Sequence, residues 1–305
     1  MSDTNSLQAL SDALAGAVER AARSVVAVHA RPRLPSSRVH WRDGLIVTTD
    51  GTVRRTEGIT VTLPDGRSVA ATLRAEIRAP TLALLRIETG LLPVAERATS
   101  SLKPGHLVLA IGRLDENGPR TSFGAVSSVG PAWRSWKGGE IDAQLQSDLT
   151  IYPGLGGGAL VDVSGQIHGI NSGGLSRPFA TTIPVQTVER VLTALLNKGY
   201  VARGYIGAAL HAVRFSDKAR ERMKLSHGGG VVVLEVDGDG PAANAGILLG
   251  DVLVGANGAA LDSPEDLVNQ LGSAHGGPQA QTRHRARGSL TSAELVVGER
   301  PRKTA

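Results

Sequence analysis

The stretch from Gln144 to Ser172 places the strongest limit on what this chain can fold into. Short apolar runs at 159–163 and 166–170 flank a Ser-Gly pair, which is the pattern of a β-hairpin. A Pro-Gly-Leu-Gly-Gly-Gly segment at 153–158 precedes them. Because glycine allows tight turns, the stretch predicts a strand, a glycine turn, a strand, a second turn and a third strand.

Short strands separated by turn signals recur through the first 184 residues. One such signal is Pro-Asp-Gly at 64–66. Many short strands with regular turns favour a pair of all-β barrels. The other predicted strand segments are Ser24–Ala30, a hairpin over Val39–Thr49, Thr60–Leu63, Ser68–Leu73, Leu82–Ile87, Leu107–Gly112 and Thr121–Val129.

Two segments have helical rather than strand periodicity. Leu7–Ala22 has apolar residues at helical spacing, and Val185–Lys198 has one apolar face followed by Gly199 as a stop. With 305 residues the chain is long enough for two domains with separate cores. We therefore expect a helix at 1–22, a β-barrel domain at 23–184, a linker helix at 185–202 and a second domain at 203–300.

The glycine turn resembles the nucleophile loop of HtrA/Deg serine proteases, which reads P-G-N-S-G-G-P-L-V before a hairpin and G-I-N. The linker run I-P-V-Q-T-V-E-R-V-L is also similar to the helix that joins the protease and PDZ domains of that family. The resemblance implies a mainly β fold, with a chymotrypsin-like double β-barrel followed by an α+β PDZ domain.

The same resemblance assigns the catalytic positions, and each of them carries a residue that cannot do the chemistry. The serine position falls on Gly156, the histidine position on Gly51 and the aspartate position on Thr81. A serine protease needs a nucleophile, a base that takes its proton and a carboxylate that holds the base. Loss of the triad costs on the order of 10^6 in turnover, or roughly 8 kcal/mol of transition-state stabilisation.

Other residues near these positions offer weaker candidates for catalysis. Asn171-Ser172-Gly173-Gly174 imitates the nucleophile signature, but its spacing fits a strand end after G-I-N, and Ser147 is a second candidate hydroxyl. Asp50 is interpreted as a turn carboxylate and His168 as a structural histidine. The remaining isolated histidines, which have no metal-ligand spacing, are His29, His40 and His106.

The region after residue 203 resembles a PDZ domain. Arg203-Gly204-Tyr205-Ile206-Gly207-Ala208 is similar to the carboxylate-binding loop R-G-Y-L-G-V, and the run from Pro241 to Leu253 is similar to P-A-x-x-A-G-L-x-x-G-D-V-I. Such a loop points backbone N–H groups at a peptide carboxylate, and the next strand pairs with the peptide. The implied peptide-binding residues, for which plain core packing is the alternative, are Gly204, Tyr205, Ile206, Gly207, Ala208, Leu210, Leu267 and Leu271.

Composition limits the partners and the compartment. The chain has no cysteine, so thiolate metal sites and disulfides are excluded, and we expect no metal or cofactor. The net charge of +5 is small for this length, so we expect no nucleic-acid binding. No apolar stretch is long enough for a membrane span, and no basic region precedes an apolar core at Met1–Asn5. These features predict a cytoplasmic protein.

These observations predict a catalytically inactive HtrA-like protein that binds peptides or protein C-termini through its PDZ domain. It would act as a scaffold or regulator in protein quality control, as a homotrimer or together with an active relative. One alternative is a serine endopeptidase with a rewired site that uses Ser172 or Ser147. Another is a nucleic-acid binder that uses the cationic residues Arg283, His284, Arg285 and Arg287.

Overall fold

The computed structural model describes most of the chain, namely residues 2–30, 35–49, 57–78, 81–88, 92–135, 139–173, 175, 180–198, 204–270, 279–286 and 289–299. Contacts divide it into two compact units, Met1–Val201 and Ala202–Ala305. The first unit holds two closed barrels and the second a PDZ-type sheet with helices. The predicted fold class is confirmed.

The first barrel is closed by the strand order β1-β2-β3-β6-β5-β4. Aliphatic side chains of alternate strand positions, including Val26, Ile46 and Leu85, fill its interior. The strands are β1 (Val25–His29), β2 (Ser36–Arg42), β3 (Leu45–Thr49), β4 (Ile59–Thr62), β5 (Ser68–Arg78) and β6 (Thr81–Ile87).

The second barrel has the order β11-β14-β13-β12-β7-β8. Its interior contains Val108, Leu145 and Leu160. Its strands, with the short β9–β10 pair beside them, are β7 (Leu107–Arg113), β8 (Pro119–Gly130), β9 (Trp133–Arg134), β10 (Glu140–Ile141), β11 (Gln144–Ser147), β12 (Ala159–Asp162), β13 (Ile167–Ser172) and β14 (Ala180–Pro184).

Two helices pack against a shared core that both barrels contribute to. This core joins Trp41 and Val47 of the first barrel to Ile111 of the second. Helix α1 (Ser2–Ala22) adds Ala17 and Ala21, whereas Leu7 and Leu10 on its N-terminal half are exposed. Helix α2 (Val185–Lys198) adds Val188, Val191 and Leu192, as its apolar periodicity predicts.

Charged groups fix α2 to β2 and to the bend that follows β10. Glu189 accepts hydrogen bonds from Trp41 Nε1 at 2.8 Å and from Arg42. The next residue, Arg190, donates to Asp142 Oδ2 at 2.8 Å. Burial raises the pKa of Glu189, but hydrogen bonds from Arg42 and Trp41 outweigh it and hold the pKa below its usual value. The helix is therefore held by ion pairs as well as by its apolar face.

The second unit is a sheet of order β16-β17-β18-β20-β21, with β19 paired to β18 and with β15 paired to β22. Its core includes Val231, Leu253 and Leu295. The elements are β15 (Gly204–Tyr205), β16 (Ala208–Arg214), α3 (Asp217–Met223), β17 (Gly229–Val236), α4 (Pro241–Asn244), β18 (Val252–Ala256), β19 (Ala259–Ala260), α5 (Pro264–Gln270), β20 (Gln279–Ala286), β21 (Ser289–Val296) and β22 (Gly298–Glu299).

Candidate functional site

The glycine-rich segment at 152–158, called here the barrel loop, is a series of tight turns between β11 and β12. Leu155 N donates to Tyr152 O at 2.9 Å, and Gly158 N donates to Leu155 O at 3.0 Å. Gly154 and Gly157 have φ angles of +93° and +90°, which favour glycine. The sequence Pro-Gly-Leu-Gly-Gly-Gly therefore folds as the turn that its composition predicts.

The barrel loop is fastened to both barrels by hydrogen bonds. Ser37 of β2 donates to Gly154 O from its N at 2.9 Å and from its Oγ at 2.6 Å. The same Oγ accepts from Arg113 N of β7 at 2.9 Å. On the other side, Gly157 N donates to Asn171 O and Asn171 N donates to Gly158 O, each at 2.8 Å. The loop is therefore held where the two barrels meet.

The three consecutive glycines of this loop differ in how much space surrounds them. A Cβ on Gly158 would clash with Ile111 O, and a Cβ on Gly157 would lie 2.5 Å from Ser37 O. A Cβ on Gly156 would meet no atom within 4 Å. Packing therefore requires glycine at 157 and 158, whereas nothing in the fold requires it at 156.

The structure describes two of the three predicted catalytic positions. Gly156 lies in the barrel loop, and Thr81 begins β6, where its backbone pairs with Arg78 of β5. Gly51 lies outside the described residues. Neither Gly51 nor Gly156 has a side chain, and Thr81 has no carboxylate. The assignment of the three positions to a lost triad therefore remains a sequence-based prediction.

Arg38 of β2 is a residue beside the barrel loop that the sequence analysis did not single out. Its side chain is fully buried, and its Nη1 donates to Ser37 O at 2.9 Å. That nitrogen lies 3.1 Å from the point where a Cβ on Gly157 would be. A guanidinium therefore lies beneath this loop. In the sequence, this arginine directly precedes the predicted hairpin Val39–Thr49, and that position does not show what its side chain contacts.

His168 and His40 each have a hydrogen-bond partner. His168 is 7% exposed, and its Nε2 lies 3.0 Å from Asp162 Oδ2. Burial raises the pKa of Asp162, but hydrogen bonds from Ser164, His168 and the Gln166 backbone outweigh it, so the pKa lies below its usual value. His40 Nε2 accepts from Gly44 N at 3.2 Å, so its Nδ1 donates to Pro93 O.

The two alternative serine candidates are both buried in strands. Ser172 ends β13, pairs with Thr181 and is 2% exposed. Ser147 ends β11, and its buried Oγ has no hydrogen-bond partner among the described residues. A nucleophile needs a base within hydrogen-bond reach and access to substrate. Burial of both hydroxyls argues against a rewired site.

The segment at 204–208, called here the PDZ loop, presents backbone donors. Ile206 O accepts from Ala242 N, and Gly207 O accepts from Asp237 N, each at 2.7 Å. The N–H groups of Ile206 and Gly207 make no hydrogen bond to any described residue. Gly207 has φ +71°, and its carbonyl is turned inward by the Asp237 contact. Adjacent free amides of this kind form a site for a carboxylate.

The strand after the PDZ loop has an edge that can accept a further strand. β16 is the first strand of the sheet and pairs with β17 alone among the described strands of that sheet. An unpaired edge offers N–H and C=O groups to an extended peptide. The loop amides and this edge together form the arrangement that β-augmentation needs.

The residues predicted to line the peptide groove are placed in different environments. Ile206 and Leu267 are buried in the core of the second unit, and Ala208 and Leu210 pack against that core with part of their surface exposed. Gly204 and Tyr205 form β15. Leu271 lies outside the described residues. Leu267 therefore packs in the core of the second unit, and its role in a peptide groove stays a prediction.

The cationic segment near the C-terminus is part of the sheet. Arg283, His284 and Arg285 lie on β20, which pairs with β18 and with β21. Arg287 lies outside the described residues. Within the described parts of the chain, no group of three or more histidine, aspartate or glutamate side chains could hold a metal ion, and no helix is long and apolar enough to cross a membrane.

Family models match both units. The model for a trypsin-like peptidase domain matches residues 37–170, and the model for a PDZ domain matches residues 204–290. Among solved structures, one described as HtrA-type protease AlgW with decapeptide aligns with a TM-score of 0.71 and 28% identity, over 95% of this chain and 99% of that chain. A serine endoprotease from Yersinia pestis aligns with a TM-score of 0.69 and 28% identity, over 94% and 98%.

Curated relatives with the name probable periplasmic serine endoprotease DegP-like are also similar. The Brucella suis protein is 33% identical over 262 residues, which are 83% of this chain and 50% of that protein. The Pseudomonas fluorescens protein is 32% identical over 267 residues, which are 85% and 55% of the two chains. The chain spans about half the length of the curated relatives it matches.

These names correct one prediction. The expected cytoplasmic location is wrong, because the relatives are named periplasmic and point to the periplasm. The barrels, the PDZ sheet and the similarity over most of the chain agree with one another. The chain belongs to the HtrA/DegP-type trypsin-like serine proteases with a PDZ domain.

Proposed function

We propose that this chain is a catalytically inactive HtrA-like protein that binds protein C-termini through its PDZ unit. The observation that carries the proposal is Gly156, a residue without a side chain at the centre of an otherwise well-fastened barrel loop. A glycine cannot form an acyl-enzyme. The binding unit, in contrast, keeps the backbone groups that recognise a peptide end.

The case for inactivity rests on chemistry that the matched residues cannot supply. Gly51 cannot accept a proton from a nucleophile, and Thr81 has no negative charge with which to orient a base. Space is available for a side chain at Gly156, so the fold does not force the glycine. Loss of the group without a steric reason is what we expect when catalysis is no longer under selection.

The case for peptide binding rests on the PDZ loop and on the edge of β16. The N–H groups of Ile206 and Gly207 would donate hydrogen bonds to a peptide carboxylate, and the edge of β16 would pair with the peptide residues before that carboxylate. Solved structures of the similar protease AlgW are described as complexes with a decapeptide and with a tripeptide. By analogy, C-terminal peptides are the ligands that we assign to this chain.

Compartment and assembly are further parts of the same proposal. We place the protein in the periplasm, where the DegP-like relatives are named to work. There it would act in protein quality control as a scaffold or regulator. It would form a homotrimer, or assemble with an active relative and alter its peptide access.

A binding titration tests the peptide site. Short fluorescent peptides randomised at their C-terminal residues, with either a free carboxylate or an amide, are titrated with the full chain. We expect binding of the acid pool and at least about tenfold weaker binding of the amides, because the loop amides need a negative partner. Equal binding of both pools contradicts C-terminal recognition.

Two glutamate substitutions in β16 test whether the peptide carboxylate binds beside this strand. Ala208 packs towards the core beside the PDZ loop, whereas Ala209 is exposed at the next strand position, which faces the other way. Ala208→Glu places a like charge beside the carboxylate, so we expect about tenfold weaker binding or more. Ala209→Glu is the matched control and keeps the affinity. Loss with both variants or with neither contradicts the assignment.

An activity assay tests the other half of the proposal. We expect no cleavage of unfolded casein by the purified full chain above a no-protein control. Two separate variants, Ser172→Ala and Ser147→Ala, test whether either serine is the nucleophile of a rewired site. Cleavage by the chain that disappears in either variant would replace the proposed function with that of an endopeptidase.

A further inference from the structure

A cavity at one end of the second barrel has no role in the function proposed above. It lies where β8 and β14 end and where β11 and helix α2 begin, together with the chain segment 98–102. Its volume is about 90 Å³. One water needs roughly 10–15 Å³, and an engineered cavity of about 150 Å³ holds benzene, so this cavity admits a group of a few non-hydrogen atoms.

The polar centre of this cavity is His168 of β13. Its side chain is 7% exposed and lines the cavity, and its Nε2 lies 3.0 Å from Asp162 Oδ2. Burial raises the pKa of Asp162, but donors such as Ser164 and His168 hold the pKa below its usual value. The carboxylate is therefore ionised near neutral pH and accepts the hydrogen on Nε2. The second ring nitrogen, Nδ1, makes no hydrogen bond to any described residue, so a ligand can reach it.

The start of α2 adds hydrogen-bond donors to the same wall. Pro184, Val185 and Gln186 line the cavity, and the first turn of the helix contains no acidic residue. The first amides of an α-helix have no partner within the helix and carry partial positive charge, which favours an anion. The N–H of Gln186 makes no hydrogen bond to a described residue outside the helix. An anion in the cavity would therefore meet a helix N-terminus as well as His168.

The rest of the wall is uncharged and partly apolar. Val129, which is 42% exposed, and the half-buried Val185 offer aliphatic surface. Gln144 and the Ser100–Ser101 pair are neutral and can donate hydrogen bonds. Among the twelve described residues that line the cavity, His168 has the one titratable side chain. These walls fit a ligand with a short aliphatic body and one negative end.

Charged groups on the neighbouring elements are engaged elsewhere or exposed. Arg97 lies 3.4 Å from Glu189 Oε1, and Arg190 donates to Asp142 Oδ2 at 2.8 Å. The charged residues next to the cavity along the chain, none of which lines it, are Glu96, Arg97, Lys103, Asp142, Glu189 and Arg190. Among the described residues, Asp162 is the charged group in contact with the imidazole. We therefore expect any pH dependence of ligand binding here to come from His168.

We propose that this cavity binds a short aliphatic carboxylate, with its oxygens between His168 Nδ1 and the start of α2 and its aliphatic part against Val129 and Val185. A free acid and an acidic side chain of another protein share this chemistry. Acid gives an imidazole a second N–H, so a protonated ring donates to the carboxylate through Nδ1 and a neutral ring does not. The site lies in the first unit and does not depend on peptide binding by the second.

Methyl spectra of valine measure this binding. The full chain is labelled in its valine methyl groups and titrated at pH 6 and pH 8 with sodium propionate or with neutral propionamide. We expect propionate to shift the Val185 resonances and to bind at least about threefold more tightly at pH 6 than at pH 8. Propionamide should bind at least about fivefold more weakly than propionate at pH 6, because it lacks the charge.

A second carboxylate identifies the source of the ligand. N-acetylglutamic acid α-amide carries the same aliphatic carboxylate on a peptide backbone. A Val185 response to both compounds assigns the cavity to an acidic side chain of a partner protein. A response to propionate alone assigns it to a free acid.

Two pairs of variants locate the ligand. His168→Gln should weaken propionate binding at pH 6 at least about threefold and remove the pH dependence. His29→Gln, in the first barrel, should change neither. Val129→Phe fills part of the cavity and should abolish the Val185 response, whereas Val94→Phe, at a similarly exposed position outside the cavity, should leave it intact. Urea unfolding shows which variants are folded.

Each outcome supports or overturns the cavity site. A silent Val185 in the presence of both carboxylates overturns it. Propionate binding that is independent of pH, or that survives both His168→Gln and Val129→Phe, also overturns it, because the ligand then binds elsewhere. Shifts of Val236 in the second unit without shifts of Val185 overturn the cavity and leave the proposed PDZ function standing. The peptide titration described above tests that function separately.

Discussion

The barrel loop and the PDZ loop both expose backbone amides, yet they depend on different parts of the chain. In the family that this chain resembles, the barrel loop works only when side chains from three distant segments meet around it. In the same family, the PDZ loop recognises a peptide end with its own main chain. A few substitutions can therefore remove the chemistry of the first loop, while the second tolerates most changes that keep its backbone conformation.

The packing around the glycines also differs between the barrel loop and the PDZ loop. Gly157 and Gly158 of the barrel loop are surrounded by backbone from β2 and β7, whereas Gly156 between them and Leu155 borders open space. In the PDZ loop, Gly207 has a positive φ and lies close to Gly240. The scaffold of each site therefore rests on particular glycines, and Gly156, the position matched to the nucleophile, is not one of them.

The largest effect is expected from Gly157→Ala. The variant needs a side chain at φ +90°, and its Cβ would lie 2.5 Å from Ser37 O, so we expect a loss of about 3 kcal/mol in the free energy of unfolding. Urea unfolding followed by tryptophan fluorescence measures it, since every tryptophan precedes residue 202. Gly156→Ala is the control and should change stability by less than about 0.5 kcal/mol. Equal losses would show that the loop is packed differently.

Gly207→Ala makes the corresponding change in the PDZ loop. Its Cβ would lie 2.8 Å from Gly240 Cα at φ +71°, so we expect a loss of about 2 kcal/mol and about tenfold weaker peptide binding. Hydrogen exchange of the second unit and the acid-peptide titration measure the two effects. Gly238→Ala in the neighbouring turn has free space and should be neutral. Unchanged binding in Gly207→Ala would remove the loop from the peptide site.

Most of the fold was predictable because it depends on patterns that are local in sequence. Alternating strands with Pro-Asp-Gly and Ser-Gly turns predicted the barrels, and the apolar face of 185–198 predicted α2 with its buried Val188 and Leu192. The helix at the N-terminus was also predicted, but not that Leu7 and Leu10 stay exposed while Ala17 and Ala21 pack. How many turns of a helix extend beyond the protein core depends on tertiary packing, which the local sequence pattern does not show.

The candidate site was less predictable because it depends on what meets across the chain. Nothing in the sequence pattern of β2 shows that Arg38 lies beneath Gly157, since the two are more than a hundred residues apart. The pairing of His168 with Asp162 depends on the hairpin that joins β12 and β13. Leu267 has the spacing of a groove residue and of a core residue, and only packing distinguishes them.

Acid should lower the free energy of unfolding of the first unit, because it protonates Glu189. Its folded pKa lies below the unfolded value, so its contribution is complete above about pH 4.5 and is lost as the pH falls through the folded pKa. Glu189→Gln should lower the stability near neutral pH by about 1 kcal/mol, because Arg42 loses its charged partner, and should flatten the acid dependence. Urea unfolding near neutral pH and at about pH 3.5 measures both. Glu19→Gln on exposed α1 is the control and should leave the acid dependence as it is.

The smallest expected effect is the most informative about the barrel loop. Gly156→Ser restores a hydroxyl where a Cβ meets no atom within 4 Å, so we expect stability within about 0.5 kcal/mol of the parent. Casein cleavage should stay at background, because the positions matched to base and acid are glycine and threonine, and an unassisted serine is a weak nucleophile. A fluorophosphonate probe, which reacts with an activated serine hydroxyl, measures the reactivity of the introduced serine directly, with the parent chain as control. Rapid labelling of Gly156→Ser alone would mean that a base still reaches this loop, and the inactivity would then depend on a single residue.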